Sequence, residues 1–253
     1  MDNIELIYTG GCSFTRMASK NGHPQLEEQW PHLLAKNLGS NIINDALWGG
    51  SNPRTFRKLY EFLTTQKYSP KNTLVLIQFT FTWRFEIPST FDLQDYAWPE
   101  SPHKENWLRI NPGHFDLEQY QEHQDLNAFK GCVALRENEE KPIHKTMVSS
   151  GLQKVYAKLL DYTDDVEKLE LLTQIFSIKG LLENYGVNYK FMFGEGGKWN
   201  DEIAELVGHF LTSTPLRLLA GEHTTIDGYH ADKQGNIQTA DTLYDLLMNH
   251  TDK

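Results

Sequence analysis

The stretch TLVLIQF, residues 73–79, is a near-continuous apolar run that follows the polar tripeptide PKN. Strands buried on both faces, as in parallel sheets, read this way. Four other short runs qualify as strands: IELIY (4–8), NIINDA (41–46), VNYKFMF (187–193) and LRLLAG (216–221). Between them the apolar spacing turns helical. WPHLLAKNL (30–38) places Trp30, Leu33, Leu34 and Leu38 on one face, with Pro31 in the first turn. PRTFRKLYEFL (53–63) does the same with Phe56, Leu59, Tyr60 and Leu63. Helical patterning covers 151–185 in two pieces, with DDVE (164–167) as a capping box and Gly186 as the stop. Two more helices are expected, over 200–211 with Asn200 as cap, and over 233–249 with Ala240, Leu243, Tyr244 and Leu247 inward. Strand and helix alternate, so the class is α/β with a mainly parallel five-stranded sheet. Residues 84–150 interrupt the rhythm. They carry Trp98, Trp107, Phe115 and Tyr120 and read as an aromatic-rich insertion, a lid or dimer surface, within a single domain spanning 1–253.

Bulk properties remove several function classes. The formal net charge is −10, which argues against nucleic acid, whose phosphates call for clustered Lys and Arg. The two cysteines, Cys12 and Cys132, allow no disulfide framework or zinc-ribbon spacing. No signal peptide is expected from the N-terminal stretch, and no run approaches the ~18 apolar residues of a membrane span. The expected setting is cytoplasmic, with no membrane partner. His103, His114, His123 and His144 lack metal-ligand spacing, and the glycines of FGEGGKW (193–199) lack the lysine and hydroxyl of a phosphate loop. No metal and no cofactor are expected.

Ligands of open parallel sheets sit at the carboxyl ends of the strands. That rule selects three loops: Gly10–Thr15, Trp48–Asn52 and Glu222–His230. The last contains Asp227 and His230, a D-x-x-H just before the final helix. A carboxylate there can hold the imidazole Nδ1–H and leave Nε2 facing a nucleophile. The first loop, GGCSFT, offers Ser13 after two glycines. It does not fit G-x-S-x-G, because Thr15 stands in place of the second glycine. Cys12, beside Ser13, reads as a packed core residue. In the second loop, WGGSN (48–52), Gly49 or Gly50 can bring a backbone N–H to an oxyanion, and Asn52 can cap the helix that Pro53 begins.

Taken together, GGCSFT after the first strand, NDALWGGSN after the second and the D-x-x-H before the last helix resemble the SGNH, or GDSL-like, hydrolase superfamily. The resemblance implies a three-layer α/β/α, flavodoxin-like fold and metal-free hydrolysis or transfer of acyl groups, often on carbohydrates or lipids. It implies Ser13 as nucleophile, His230 as base and Asp227 as its orienting acid. The N–H groups of Ser13 and Gly49, with Gly50 as runner-up, would form the oxyanion hole. One departure stands out. The family carries an Asn after its third strand, and this chain has QFTFTWRFE there. Asn52 is the expected substitute donor and Thr82 the alternative, with Thr80 and Gln78 also near that place. Arg84 reads as an ion-pair partner of Glu86 or another acid. The expected partner is a small-molecule or carbohydrate ester. The rival reading is a non-catalytic protein of the same fold that binds a carbohydrate or a protein.

Overall fold

The computed structural model describes residues 4–16, 24–47, 49–82, 84–88, 107–110, 164–223 and 230–249. The chain divides into two compact units, Met1–Phe81 with Leu172–Lys253, and Thr82–Leu171.

In the first unit TLVLIQF is the strand expected, with all seven residues buried. The elements follow in alternation: β1 (Leu6–Gly10), α1 (Trp30–Leu38), β2 (Asn41–Asn44), α2 (Asn52–Thr65) and β3 (Thr73–Phe79). The second unit holds β4 (Phe85–Pro88) and β5 (Trp107–Ile110), paired antiparallel with Glu86 opposite Arg109. Then come α3 (Asp164–Tyr185), β6 (Asn188–Phe193), α4 (Asn200–Val207), α5 (Leu216–Leu219) and α6 (Lys233–Asn249). The main sheet runs β2-β1-β3-β6, and every pairing is parallel. No described helix is long and apolar enough to cross a membrane.

Register explains the layers. Ile7, Leu74, Leu76 and Met192 face one side, where they pack with Trp30, Leu34 and Ala35 of α1 and Ala240, Leu243 and Leu247 of α6. Tyr8, Val75 and Tyr189 share a row on the other side. There the Tyr8 ring stacks on Phe62 of α2 at 4.5 Å, and the Tyr189 hydroxyl donates to Glu183 of α3 at 3.2 Å. That stacking sets the buried face of α2 as Thr55, Leu59, Phe62 and Leu63, leaving Phe56 and Tyr60 exposed, contrary to the spacing read from sequence.

Four further expectations are corrected. The main sheet has four strands. LRLLAG forms the short helix α5, because Leu and Arg are good helix formers and the stretch holds no β-branched residue. The fifth position is occupied further upstream by a single parallel bridge, Phe191 to Phe210, where Phe191 N–H donates to His209 O and Leu211 N–H to Phe191 O. The helix expected over 200–211 stops at Val207 because Gly208 turns left-handed (φ 72°) and its N–H closes on Ala204 O. Asn200 is the first helical residue, not the cap, and its amide holds the carbonyls of Glu195 and Ser213. Gly186, at φ 62°, ends α3 as expected. Residues 151–163 and most of the aromatic insertion lie outside the described residues.

Candidate active site

The loop after β1 is built around two constraints. Gly11 has φ 150°, and a Cβ there would fall 2.6 Å from Gln78 Oε1, so only glycine fits. Cys12 then starts a tight turn, its carbonyl accepting from the N–H groups of Thr15 and Arg16, each at 3.0 Å. Cys12 is fully buried, in keeping with a core role. Ser13 follows on the turn, and among the described residues neither its amide nor its hydroxyl has a hydrogen-bond partner.

The loop after β2 docks on this turn. Leu47 N–H donates to Gly11 O at 3.2 Å. A Cβ on Gly50 would lie 2.8 Å from both Gly11 O and Leu47 O, so the close approach requires glycine. The Gly50 N–H, the runner-up donor, is committed to Leu47 O at 2.7 Å. Gly49 is left-handed, with φ 69°, and its N–H has no acceptor among the described residues. Beneath the loops, burial and then the Asp45 carboxylate hold the Tyr8 phenol well above its usual range, which keeps it neutral.

Asn52 does something other than cap a helix. Ser51 is the cap, its Oγ accepting from Arg54 N–H at 3.2 Å. Asn52 is buried and grips the chain just past β3: its Oδ1 accepts from Thr80 N–H at 2.8 Å, and its Nδ2 donates to Thr80 O at 3.0 Å and Gln174 Oε1 at 2.6 Å. Both amide hydrogens therefore have acceptors, so Asn52 is not an open donor. Its removal takes away these three hydrogen bonds, two of them to the Thr80 backbone. Asn52→Ala is expected to lower the stability of the fold by about 1–3 kcal/mol in urea denaturation. An unchanged midpoint would show that the grip contributes nothing.

Gln78 turns its Nε2 to Phe79 O at 2.6 Å and its Oε1 to the Cys12 N–H at 2.8 Å. In the second unit, Thr82 is buried, its hydroxyl 3.4 Å from Glu167 Oε1, and Arg84 is buried.

The third loop is partly described. Asp227 lies outside the described residues. The His230 ring packs on Phe14, the residue after Ser13, with centroids 5.4 Å apart. Ser13 and Phe14 line one small hollow with Arg217, Ala231 and Asn236, so the turn and the segment after His230 adjoin. A relay of hydrogen bonds fixes that neighbourhood. Trp30 Nε1 donates to Phe14 O at 2.8 Å, and Trp30 N–H to Asn236 Oδ1 at 2.9 Å. Asn236 Nδ2 in turn donates to Ala231 O at 3.1 Å and Asp232 O at 2.8 Å. Asp232 accepts from Gly235 N–H at 2.8 Å and so starts α6. The roles of Trp30 and Asn236 escaped sequence reasoning. The available signal was an Asn that continues the inward face of α6 at the spacing of Ala240 and Leu243. Among the described residues no group of three His, Cys, Asp or Glu is placed to hold a metal.

Residues 19–127, less than half of the chain, match a family of unknown function, DUF6071. No curated protein matches the chain in sequence. Among solved structures it is similar to the psychrotrophic esterase EstA from Pseudoalteromonas sp., in a structure inhibited by monoethylphosphonate. Identity is 14%, coverage is 98% of this chain and 100% of that one, and the TM-score is 0.51. It is also similar to TesA, with 12% identity, 97% and 99% coverage and a TM-score of 0.48. A third is the acetyl xylan esterase Est2A from the rumen bacterium Butyrivibrio proteoclasticus, with 12% identity, 97% and 64% coverage and a TM-score of 0.45. At such identity the likeness to EstA is one of fold. The chain has an SGNH/GDSL-like fold.

Proposed function

We propose that this protein is a serine esterase or acyl hydrolase that works through Ser13, His230 and Asp227. Carbohydrate O-deacylation and acyl transfer are the two forms of the chemistry this reading covers. The observation that carries it is the pair of backbone donors. The N–H groups of Ser13 and Gly49 lie in two loops docked directly on each other, and neither has an acceptor among the described residues. Such amides stabilise charge that develops on a carbonyl oxygen.

In this mechanism Ser13 Oγ attacks the ester carbonyl while His230 takes its proton. The oxyanion of the tetrahedral intermediate accepts from the two amides. Collapse expels the alcohol, which receives its proton from His230. Water, or a second alcohol, then attacks the acyl-enzyme by the same route. Asp227 orients His230 throughout. Asn52 has no part in the oxyanion hole, and two backbone donors serve without it.

The test is covalent labelling. A fluorophosphonate or alkylphosphonate probe is expected to modify Ser13 alone, read by peptide mass spectrometry. EstA, of the same fold, has been solved as a phosphonate-inhibited structure. Recovery of unmodified Ser13 after long exposure of folded protein would overturn the proposal and leave a binding protein of this fold.

A further inference from the structure

We propose that Gln78 is the positioning residue that holds the Ser13 turn in its reactive geometry, a role that rests on the ester-hydrolysis reading above. Gln78 is fully buried near the end of β3, in a run whose neighbours Leu76, Ile77 and Phe79 are apolar. An amide in such a place must find partners. All of those it finds lie in the strand end and the turn. Its Oε1 accepts from Cys12 N–H at 2.8 Å and from Thr15 Oγ1 at 3.2 Å, on either side of Ser13. Its Nε2 donates to Phe79 O at 2.6 Å, a carbonyl that also accepts from Gly194 N–H at 2.9 Å. The side chain therefore ties the turn of β1 to the ends of β3 and β6.

Two glycines make room for it. A Cβ on Gly11 would reach Gln78 Oε1 at 2.6 Å, and one on Gly194 would collide with Gln78 Nε2. The consequence for the chemistry follows from the peptide planes. Fixing the Cys12 N–H fixes the plane that leads into Cys12, and the Cys12 carbonyl is fixed by Thr15 and Arg16. Ser13 N–H belongs to that second plane, so its direction is set from both sides. Because this chain lacks the family's Asn donor after β3, it depends more heavily on the aim of that amide. A displacement near 1 Å can cost about 100-fold in rate.

A purely structural glutamine would affect melting and nothing else. The experiment compares wild type with Gln78→Met, Gln78→Glu and Gly194→Ala at a temperature where each is folded. The readouts are p-nitrophenyl ester kinetics and phosphonate labelling of Ser13. Gln78→Met keeps the volume and loses the acceptor; kcat and labelling rate are expected to fall about 100-fold with KM unchanged. Gln78→Glu can accept from Cys12 and donate to Phe79 only while protonated, so its kcat relative to wild type should rise as pH falls. Gly194→Ala retains every hydrogen-bonding group and pushes chiefly on the amide, with a looser contact at 3.0 Å on the Phe14 ring. It too should lower kcat at constant KM, and it serves if Gln78→Met does not fold. Wild-type kcat and labelling in Gln78→Met, whatever its melting temperature, overturns the positioning role while the esterase reading stands. If wild-type Ser13 does not label, the esterase reading fails instead. Amide exchange then decides whether Gln78 holds the turn: Cys12 N–H protected in wild type and fast in Gln78→Met supports the hold, and equal protection in both overturns it.

Discussion

Ser13→Ala is expected to abolish turnover of a short-chain p-nitrophenyl ester while leaving the protein folded. Loss of the nucleophile in another serine hydrolase fold lowers kcat by on the order of 10⁶-fold, so the residual rate should fall to that of the oxyanion donors and binding alone. The fold should hardly notice. The Ser13 hydroxyl makes no hydrogen bond among the described residues, and its neighbours in the turn are secured through Cys12, Thr15 and Arg16 backbone groups. Ser13 is buried, but the variant removes a single oxygen that no described residue pairs, so a stability change of no more than about 1 kcal/mol is expected. Circular dichroism melts beside steady-state kinetics check both halves. Wild-type turnover in a verified variant would end the serine mechanism. Cys12 would be a poor replacement, since it is fully buried.

His230→Ala should cost more than Asp227→Asn. The base moves the proton in both half-reactions, whereas the carboxylate holds its tautomer and steadies the imidazolium. In serine proteases the orienting Asp is worth about 10⁴-fold, and loss of the base costs about as much as loss of the nucleophile. Only the order carries over between folds. Asp232 cannot take the carboxylate's place without cost to the helix, because it already accepts from Gly235 N–H at the start of α6. The His230 ring also packs on Phe14, so melting must be followed beside kinetics to separate lost packing from lost chemistry. A larger loss for Asp227→Asn than for His230→Ala would point to a different base.

The parts of the fold that were legible in sequence are those whose cause is local. TLVLIQF declares itself because a strand covered on both faces needs apolar side chains at nearly every position. WPHLLAKNL does so through period and a proline start, and the structure has the helix over the same residues. LRLLAG was misread because a short apolar run fits strand or helix alike, and only its setting after Pro215 decides. The site follows the same division. As candidates, Ser13, Gly49 and His230 stand out through turn glycines and a D-x-x-H, since backbone approach leaves a mark in composition. The grip of Asn52 on Thr80 spans 28 residues, that of Gln78 on Cys12 spans 66, and that of Asn236 on Trp30 spans 206. No spacing rule reaches that far, so a polar residue in an apolar run can be flagged but its partner cannot be named. Asn52 shows the danger. Its place after a glycine turn suggested a cap or an oxyanion donor, and the partner that claims it lies past another strand.

The relay from Phe14 through Trp30 to Asn236 bears on how the proposed activity would be lost with heat. Enzymes whose reactive groups ride on loosely held loops inactivate before they melt, because those loops open in low-energy local excursions. Here the turn that carries Ser13 and the segment after His230 are each anchored to a tryptophan that is 2% exposed and lies in the core between α1 and α6. Separating them requires opening the same core that keeps the chain folded. The candidate site and the fold thus belong to one cooperative unit, and the chain has little scope for a state that is folded but has its Ser13 turn detached.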